Sequence, residues 1–300
     1  MKVSFGRACS VALLLLTGSI SGLAGAADTL SRIKETQTLT IAHRESSVPF
    51  SYIPEGSKQP TGYSMDICLR IADAIKKELK LPNMKVNYLP VSSNNRIQAI
   101  MDGKADIECG STTNNAERRK QVSFTIPHFF STTRMIVRAD SGIKNWTDLK
   151  DKKVVTTRGS TTVKLLTERD RVRSLNVRLM EGNDHAESFG MVEKFQADAF
   201  AMDDVLLFGF RATAKDPEKY VVVGEPLSME PYSMMIHKDD RAFKDLVDRE
   251  ISHLMTDGEI NKLYDKWFKK PIPPKNTVLN MPMNYLLRDT IRFPTDKVAD

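Results

Sequence analysis

The sequence contains few of the residues and motifs on which common reactive centres depend. Its 300 residues include 3 cysteines and 5 histidines, with no Cys-x-x-Cys pair and no His-Glu-x-x-His motif. A Gly-x-Ser-x-Gly motif is also absent, and the Gly159-Ser160-Thr161 turn lacks the Gly-Lys-Ser/Thr ending of a Walker loop. These absences argue against zinc-hydrolase, dithiol, α/β-hydrolase and P-loop chemistry, and we expect neither a metal nor another cofactor.

No apolar run in the sequence is long enough to anchor a protein in a membrane as a helix. The apolar run at 11–16 follows Lys2 and Arg7 and precedes the small residues 24–26. This order is typical of a secretory signal peptide. We therefore predict that residues 1–26 are a cleaved signal and that the protein is exported to the periplasm.

The composition is that of a folded protein with a mild positive charge. Hydrophobic residues make up 41% and charged residues 27% of the chain, and the length suggests about two domains. The net charge is +6, or +4 without the predicted signal, which holds two basic residues and no acid. Because the lysines are scattered among acids, we expect no nucleic-acid partner. Two cysteines, Cys68 and Cys109, remain after cleavage. An oxidising compartment permits a disulfide between them, but two cysteines make no framework, and we expect no bridge.

Apolar patterns predict two α/β units. Short strands at 39–42 and 86–91 alternate with helices, which favours a parallel sheet covered by helices. A second unit starts after residue 137, with further strands and a helix in which Phe189, Val192 and Phe195 are expected to face inward. The segments 133–137 and 228–236 are interpreted as crossings between the units. The residues from Asn276 onward are expected to form a polar, loosely packed tail.

The stretch 106–118 combines groups that suit an anion. Ser111 and Thr113 follow an apolar run, Asn115 is predicted to cap a helix, and Arg118 lies one turn into that helix. Helix-start amides, hydroxyls and a guanidinium together favour a carboxylate or a phosphate. The alternative is an ordinary polar loop with Arg118 as a solvated surface charge.

Other candidate residues occupy similar positions at strand ends and helix starts in both halves. In chain order they are Arg44, Ser93, Arg96, Thr161, His185 and Asp203. Thr161 opens a helix after a glycine turn and repeats the anion-binding pattern. Asp203 ends an apolar strand, where a carboxylate suits an ammonium group, whereas the neighbouring Asp204 also fits a helix cap.

Several of these polar blocks resemble a known family. The blocks HRESSVPFSY at 43–52, ECGSTTNN at 108–115 and DKWFKKPIPP at 265–274 are similar to bacterial periplasmic solute-binding proteins for polar amino acids, which supply ABC importers. The resemblance covers essentially the whole chain after the predicted signal. It implies an α/β fold of two Rossmann-like lobes joined by two crossing strands, the type II periplasmic-binding-protein arrangement, with the ligand between the lobes. The implied boundaries are 27–137 plus 229–275 for lobe 1, 138–228 for lobe 2 and 276–300 for a C-terminal tail.

The resemblance also implies roles for the candidate residues. Within the family, the chain is similar to members that bind glutamate and aspartate, so the implied partners are L-glutamate or L-aspartate and a membrane permease, with the protein a monomer. The implied contacts to the α-carboxylate come from Arg118, Thr113 and Thr161. Those to the α-ammonium come from Asp203 and the Ser111 region. Those to the side-chain carboxylate come from Arg44, Ser93, Arg96 and His185.

The charges agree with an acidic ligand. Three arginines opposed by Asp203 leave +2, which suits two carboxylates and one ammonium better than a neutral side chain. We therefore predict a binding protein and not an enzyme. The alternative is a cyclohexadienyl or arogenate dehydratase-like enzyme on the same fold, for which His185 or Glu108 would be the candidate general acid.

Overall fold

The computed structural model describes residues 1–2 and 28–299. The predicted signal lies outside the described residues, apart from its first two positions. The helices are α1 (Thr29–Thr36), α2 (Tyr63–Leu79), α3 (Arg96–Met101), α4 (Ala116–Arg119), α5 (Thr161–Arg173), α6 (His185–Glu193), α7 (Asp204–Thr213), α8 (Arg241–Thr256), α9 (Glu259–Tyr264) and α10 (Tyr285–Arg292). Short 3-10 turns lie at Trp146–Leu149 and Pro217–Lys219, and a π turn lies at Asp265–Lys269.

The strands are short, and most of them belong to two five-stranded sheets. They are β1 (Thr38–His43), β2 (Ser46–Ser47), β3 (Ser51–Tyr52), β4 (Lys85–Pro90), β5 (Ile107–Cys109), β6 (Ser123–Phe124), β7 (Phe129–Ser131), β8 (Thr133–Arg138), β9 (Lys153–Thr157), β10 (Arg178–Gly182), β11 (Ala199–Asp203), β12 (Tyr220–Val223), β13 (Glu230–Tyr232) and β14 (Met235–Ile236). The sheets define two lobes, and the predicted two-lobed α/β class is confirmed.

Lobe 1 is built on a sheet with strand order β4-β1-β5-β14-β6. Strand β1 pairs in parallel with β4 and β5, while β14 runs antiparallel to β5 and β6. Helix α2 covers this sheet because Met65, Cys68, Ile71 and Ile75 recur every three or four residues and form its buried stripe. The parallel strands therefore end at one edge, followed by the loops that carry Arg44, Ser93 and Ser111.

Lobe 2 is built on a sheet with strand order β10-β9-β11-β8-β12. Strand β9 is parallel to β10 and β11, and β8 is antiparallel to β11 and β12. Helix α6 ends at Glu193, and Phe195 adopts φ +58° beyond it. The expectation that Phe195 faces inward is wrong, since its side chain is 71% exposed and lies under the Arg138 guanidinium, 4.4 Å from the ring centroid.

A two-stranded ribbon connects the lobes. It consists of β7 paired antiparallel with β13, with Glu230 opposite Ser131 and Tyr232 opposite Phe129. The second predicted crossing at 228–236 contains β13. The first crossing was misplaced, because residues 133–137 belong to β8 inside the lobe 2 sheet and the ribbon strand β7 comes before them.

A disulfide joins Cys68 to Cys109, and the expectation of no bridge is wrong. Cys68 lies on the buried stripe of α2 and Cys109 ends β5. Their Cα atoms are 6.3 Å apart, within the range that a disulfide spans. The packing of the helix on the strand brings together residues that are 41 positions apart, which spacing alone does not reveal.

The C-terminal segment is packed, and the expectation of a loose tail is also wrong. Lys275 Nζ donates to the carbonyl oxygens of Thr213 and Ala214 at the end of α7, and Thr277 Oγ1 donates to that of Ala212. The chain then returns to lobe 1, where α10 packs against α8 and buries Leu287 completely. The segment therefore contacts both lobes.

Candidate ligand-binding site

A small cavity lies between the two lobes, at the ends of their parallel strands. About 200 Å³ of space lies between its lining residues, including space that is open to solvent. It is lined by Ser93, Arg96, Ser111, Thr113, Arg118, Ser160, Thr161, His185, Met202 and Asp203. Eight of the nine residues predicted from the sequence therefore line one cavity. The ninth, Arg44, is buried outside this lining and interacts electrostatically with Arg96 and His185.

Arg118 joins the two lobes at the cavity wall. Asn115 caps α4 by accepting the Arg118 backbone N–H at 2.9 Å, as the sequence predicts. The Arg118 guanidinium donates to the carbonyl oxygen of Thr113 at 2.9 Å and to that of Gly159, in lobe 2, at 3.1 Å. Burial and the neighbouring Arg96 lower the pKa of Arg118 to about 10, which leaves it protonated at neutral pH. The surface-charge alternative for this residue is therefore excluded.

Arg44 and Arg96 form a second cationic region. Arg44 Nε donates to the Val91 carbonyl oxygen at 3.0 Å, and Arg96 Nη1 donates to that of Ser111 at 3.4 Å. Burial, together with the charge of Arg96, lowers the pKa of Arg44 to about 9, so it too stays protonated. Both guanidinium groups keep one buried nitrogen without a partner, Nη1 of Arg44 and Nε of Arg96.

His185 faces the same cations as a neutral ring. Its Nδ1 lies 2.8 Å from the Thr157 hydroxyl. Burial lowers the pKa of His185 well below its ordinary value, and the charges of Arg44 and Arg96 lower it further. When Nδ1 accepts the Thr157 hydrogen, Nε2 carries the ring proton and can donate it to an anion. His185 therefore suits recognition of an anion without adding a further charge.

Asp203 provides the acidic region of the cavity. The Tyr232 hydroxyl donates a short hydrogen bond to Asp203 Oδ2, and Asp203 Oδ1 is buried without a partner. Burial raises the pKa of Asp203 well above its ordinary value, and the charge of Glu230 raises it further. Asp204 has another role, since its carboxylate accepts from the hydroxyls of Ser131 and Thr132 at 2.7 Å each.

Two buried acids beside the site were missed as binding residues. Glu108 accepts from the Thr112 hydroxyl at 2.8 Å, and Glu230 accepts from the Thr161 hydroxyl at 3.0 Å. Both carboxylates interact with the Arg118 charge. The sequence argument that three arginines face a single acid is therefore wrong. What remains is a distribution of charge, with Arg44, Arg96 and Glu108 in one region and Asp203 with Glu230 in another.

The sequence of the ribbon gives only part of the signal needed to place Glu230 at the site. Glu230 and Tyr232 are two positions apart in β13, so their side chains point to the same face of the strand. Nothing in the sequence indicates that this face meets lobe 2, because the contacts to Thr161 and Asp203 join residues 69 and 29 positions apart.

Several unsatisfied polar atoms lie in or beside the cavity. Buried polar groups in folded proteins nearly always have hydrogen-bond partners. Five of the predicted residues nevertheless keep a buried atom without one, and these atoms are Arg44 Nη1, Ser93 Oγ, Arg96 Nε, Ser111 Oγ and Asp203 Oδ1. They include donors on the cationic side and an acceptor on the acidic side. A small zwitterion that carries an additional negative charge would match this set.

Residues 1–2 and 28–299 contain neither a candidate metal site nor a candidate membrane-spanning helix. No group of three or more His, Cys, Asp or Glu side chains among them could hold a metal ion. None of the helices in residues 28–299 is long and apolar enough to cross a membrane.

Comparison with known proteins gives consistent matches over most of the chain. Residues 39–270 match the model of the bacterial extracellular solute-binding proteins, family 3. An L-glutamate/L-aspartate-binding protein of Pseudomonas aeruginosa is 48% identical over 272 residues, which is 91% of this chain and 90% of that protein. A glutamate/aspartate import solute-binding protein of Escherichia coli is 42% identical, over 98% of this chain and 99% of that protein. In fold, the chain is similar to a crystal structure of an ArgBP mutant from T. maritima, with a TM-score of 0.72 and 23% identity, over 80% and 99% of the two chains.

Proposed function

Since the chain belongs to the bacterial extracellular solute-binding proteins of family 3, we propose that it binds an acidic L-amino acid, glutamate or aspartate, and delivers it to the permease of an ABC importer. Support comes from the two relatives named for glutamate and aspartate, at 48% and 42% identity. We propose a non-enzymatic role, in the periplasm, after export directed by residues 1–26. We propose lobe boundaries that follow the sequence resemblance, except that lobe 2 begins with β8 at Thr133 and not at residue 138.

The observation that carries the ligand assignment is the pair of buried arginines with unpartnered nitrogens. Arg44 Nη1 and Arg96 Nε are within the protein, away from water. A side-chain carboxylate would satisfy them, assisted by Ser93 and His185. A glutamine side chain would leave each guanidinium partly unsatisfied, at a cost of about 1–3 kcal/mol per group. This corresponds to discrimination of about tenfold or more for each lost partner.

The α-amino acid group fits the other side of the cavity. Arg118, Thr113 and the start of α5 at Thr161 would hold the α-carboxylate. Asp203 and Ser111 would hold the α-ammonium, which supplies the donor that Asp203 Oδ1 lacks. Glutamate and aspartate differ by one methylene, worth about 1–3 kcal/mol in a pocket. Both are proposed as ligands because the relatives are named for both.

The ligand would also stabilise the closed arrangement of the lobes. The proposed contacts come from both sheets, so a bound amino acid has more partners when the lobes are together. A ligand shifts a conformational equilibrium by its differential affinity for the two states. The permease would then recognise the closed pair of lobes. The dehydratase alternative has no support from the two relatives, which are named as binding proteins.

Isothermal titration of the purified protein tests the proposal. L-glutamate and L-aspartate should bind at least tenfold more tightly than L-glutamine and L-histidine. Replacing Arg96 with glutamine should remove most of the preference for glutamate over glutamine. The matched control is Arg249→Gln, because Arg249 is exposed and pairs with Glu78 at the surface. Equal affinity of the unaltered protein for glutamate and glutamine would contradict the proposal.

A further inference from the structure

Glu230 lies where the ribbon meets the ligand cavity. It is the first residue of β13 and is buried, although its type is rarely buried without partners. Both of its carboxylate oxygens accept hydrogen bonds. Ser228 Oγ donates to Oε1 at 2.6 Å, and Thr161 Oγ1 donates to Oε2 at 3.0 Å. Glu230 therefore connects the ribbon strand β13 to the first residue of α5 in lobe 2.

This contact fixes what the Thr161 hydroxyl can offer a ligand. A hydroxyl has one hydrogen to donate and two lone pairs that accept. Because Glu230 takes the hydrogen, only lone pairs of Thr161 Oγ1 remain for the cavity. A ligand carboxylate has no hydrogen to give them, whereas an ammonium group does. The α-carboxylate would be held at this helix start by backbone N–H groups, which lack partners within the first turn.

The charges around Glu230 point the same way. Tyr232, on the same face of β13, donates to Asp203, which places both acids beside the ribbon. The charge of Glu230 acts on the carboxyl of Asp203 and on the guanidinium of Arg118. The Arg118 guanidinium interacts with the carboxylates of both Asp203 and Glu230. This side of the cavity therefore favours a cation next to an anion. That is the charge pattern of an α-amino acid group.

We propose that Glu230 is a positioning residue that sets specificity for the α-ammonium. It holds the Thr161 hydroxyl so that its lone pairs face the ligand, and it adds a second negative charge to that of Asp203. The site consequently favours amino acids over dicarboxylates of equal length that lack the amino group. This inference rests on the proposed function, because it assigns one end of the same ligand.

The test compares L-glutamate with glutarate, which has the same carbon chain and both carboxylates but no ammonium. Dissociation constants are measured by isothermal titration for the unaltered protein, Glu230→Gln, Thr161→Val and the double variant. Glu230→Gln should weaken L-glutamate binding roughly 10- to 100-fold, the range for a lost charge-assisted contact, with little change for glutarate. Thr161→Val should act in the same direction. The double variant should lose less than the product of the two single losses, because both changes remove the same contact.

Two further variants separate positioning from general structural damage. Glu225→Gln makes the same chemical change at an exposed position between β12 and β13 and should alter neither ligand's affinity. Glu230→Asp keeps the charge but shortens the side chain, and should restore part of the preference for glutamate. If Glu230→Gln does not fold, Thr161→Val carries the same expected shift in the glutamate-to-glutarate ratio.

The outcomes distinguish this inference from the function on which it rests. Equal weakening of L-glutamate and glutarate in Glu230→Gln, with the unaltered protein still binding glutamate, would overturn the role of Glu230 alone. Failure of the unaltered protein to bind either glutamate or aspartate would overturn the proposed function and this inference with it. A selective loss of glutamate binding that is shared by Thr161→Val would support both.

Discussion

The disulfide between Cys68 and Cys109 should provide a large part of the stability of lobe 1. It closes a sequence separation of 41 residues. In the chain-entropy model, a cross-link of this length destabilises the unfolded state by about 4 kcal/mol. Removing the bond from a chain of this size would therefore lower the melting temperature by roughly 8–16 °C. Both cysteines are fully buried between α2 and β5, so the bond also holds the helix onto the sheet.

The measurement compares oxidised protein with protein reduced in denaturant and refolded in the presence of reductant. Reduction removes the cross-link and keeps both sulfur atoms, so no cavity contributes to the difference. The double variant Cys68→Ala, Cys109→Ala is the control, since reductant should leave its unfolding curve unchanged. If the oxidised form is less than about 1 kcal/mol more stable than the reduced form, the entropy argument is refuted. The chain-entropy model requires a difference of about 4 kcal/mol.

Two other predictions concern the cavity. Burial raises the pKa of Asp203, and the charge of an incoming ammonium group would lower it again. Titrations in two buffers of different ionisation enthalpy should therefore show proton release on binding, and Asp203→Asn should show none. Because its pKa is raised in the folded protein, Asp203 stabilises the ligand-free fold in its protonated form. That contribution to stability is lost as the pH rises through the elevated pKa. Gly159 has φ +76°, and a Cβ there would lie 2.6 Å from the Asn94 Cα across the cleft. Gly159→Ala should thus weaken ligand binding at least tenfold by opposing closure, and unchanged affinity would contradict the close approach.

Sequence patterns correctly predicted the features that depend on contacts between neighbouring residues, such as the buried face of a helix and its cap. The three- and four-residue spacing of Met65, Cys68 and Ile71 is sufficient to bury one face of α2. Asn115 caps α4 because its side chain reaches an amide three residues ahead. Phe195 followed the same spacing as Phe189 and Val192, but the helix ends before it and the chain turns through a left-handed conformation. A periodic pattern does not indicate where its own helix stops.

The parts of the site that sequence reasoning missed depend on contacts between distant segments. Glu230 lies beside the cavity only because the ribbon brings it to Thr161, and Glu108 interacts with Arg96 because its strand ends nearby. The Cys68–Cys109 bond has the same origin, since a helix and a strand meet there. Candidate residues at strand ends were found more readily, because parallel strands place all their ends at one edge of a sheet.

The C-terminal segment adds a third link between the lobes beside the two strands of the ribbon. It leaves lobe 1, makes three hydrogen bonds to the last carbonyl oxygens of α7 through Lys275 and Thr277, and is anchored again by Leu287. Any hinge motion that separates α7 from lobe 1 has to break these bonds or carry residues 275–277 along. The energy needed to open the cleft is therefore set partly by a strap outside the 39–270 region that the family shares, and sequence changes in that strap can tune opening without touching a ligand-binding residue.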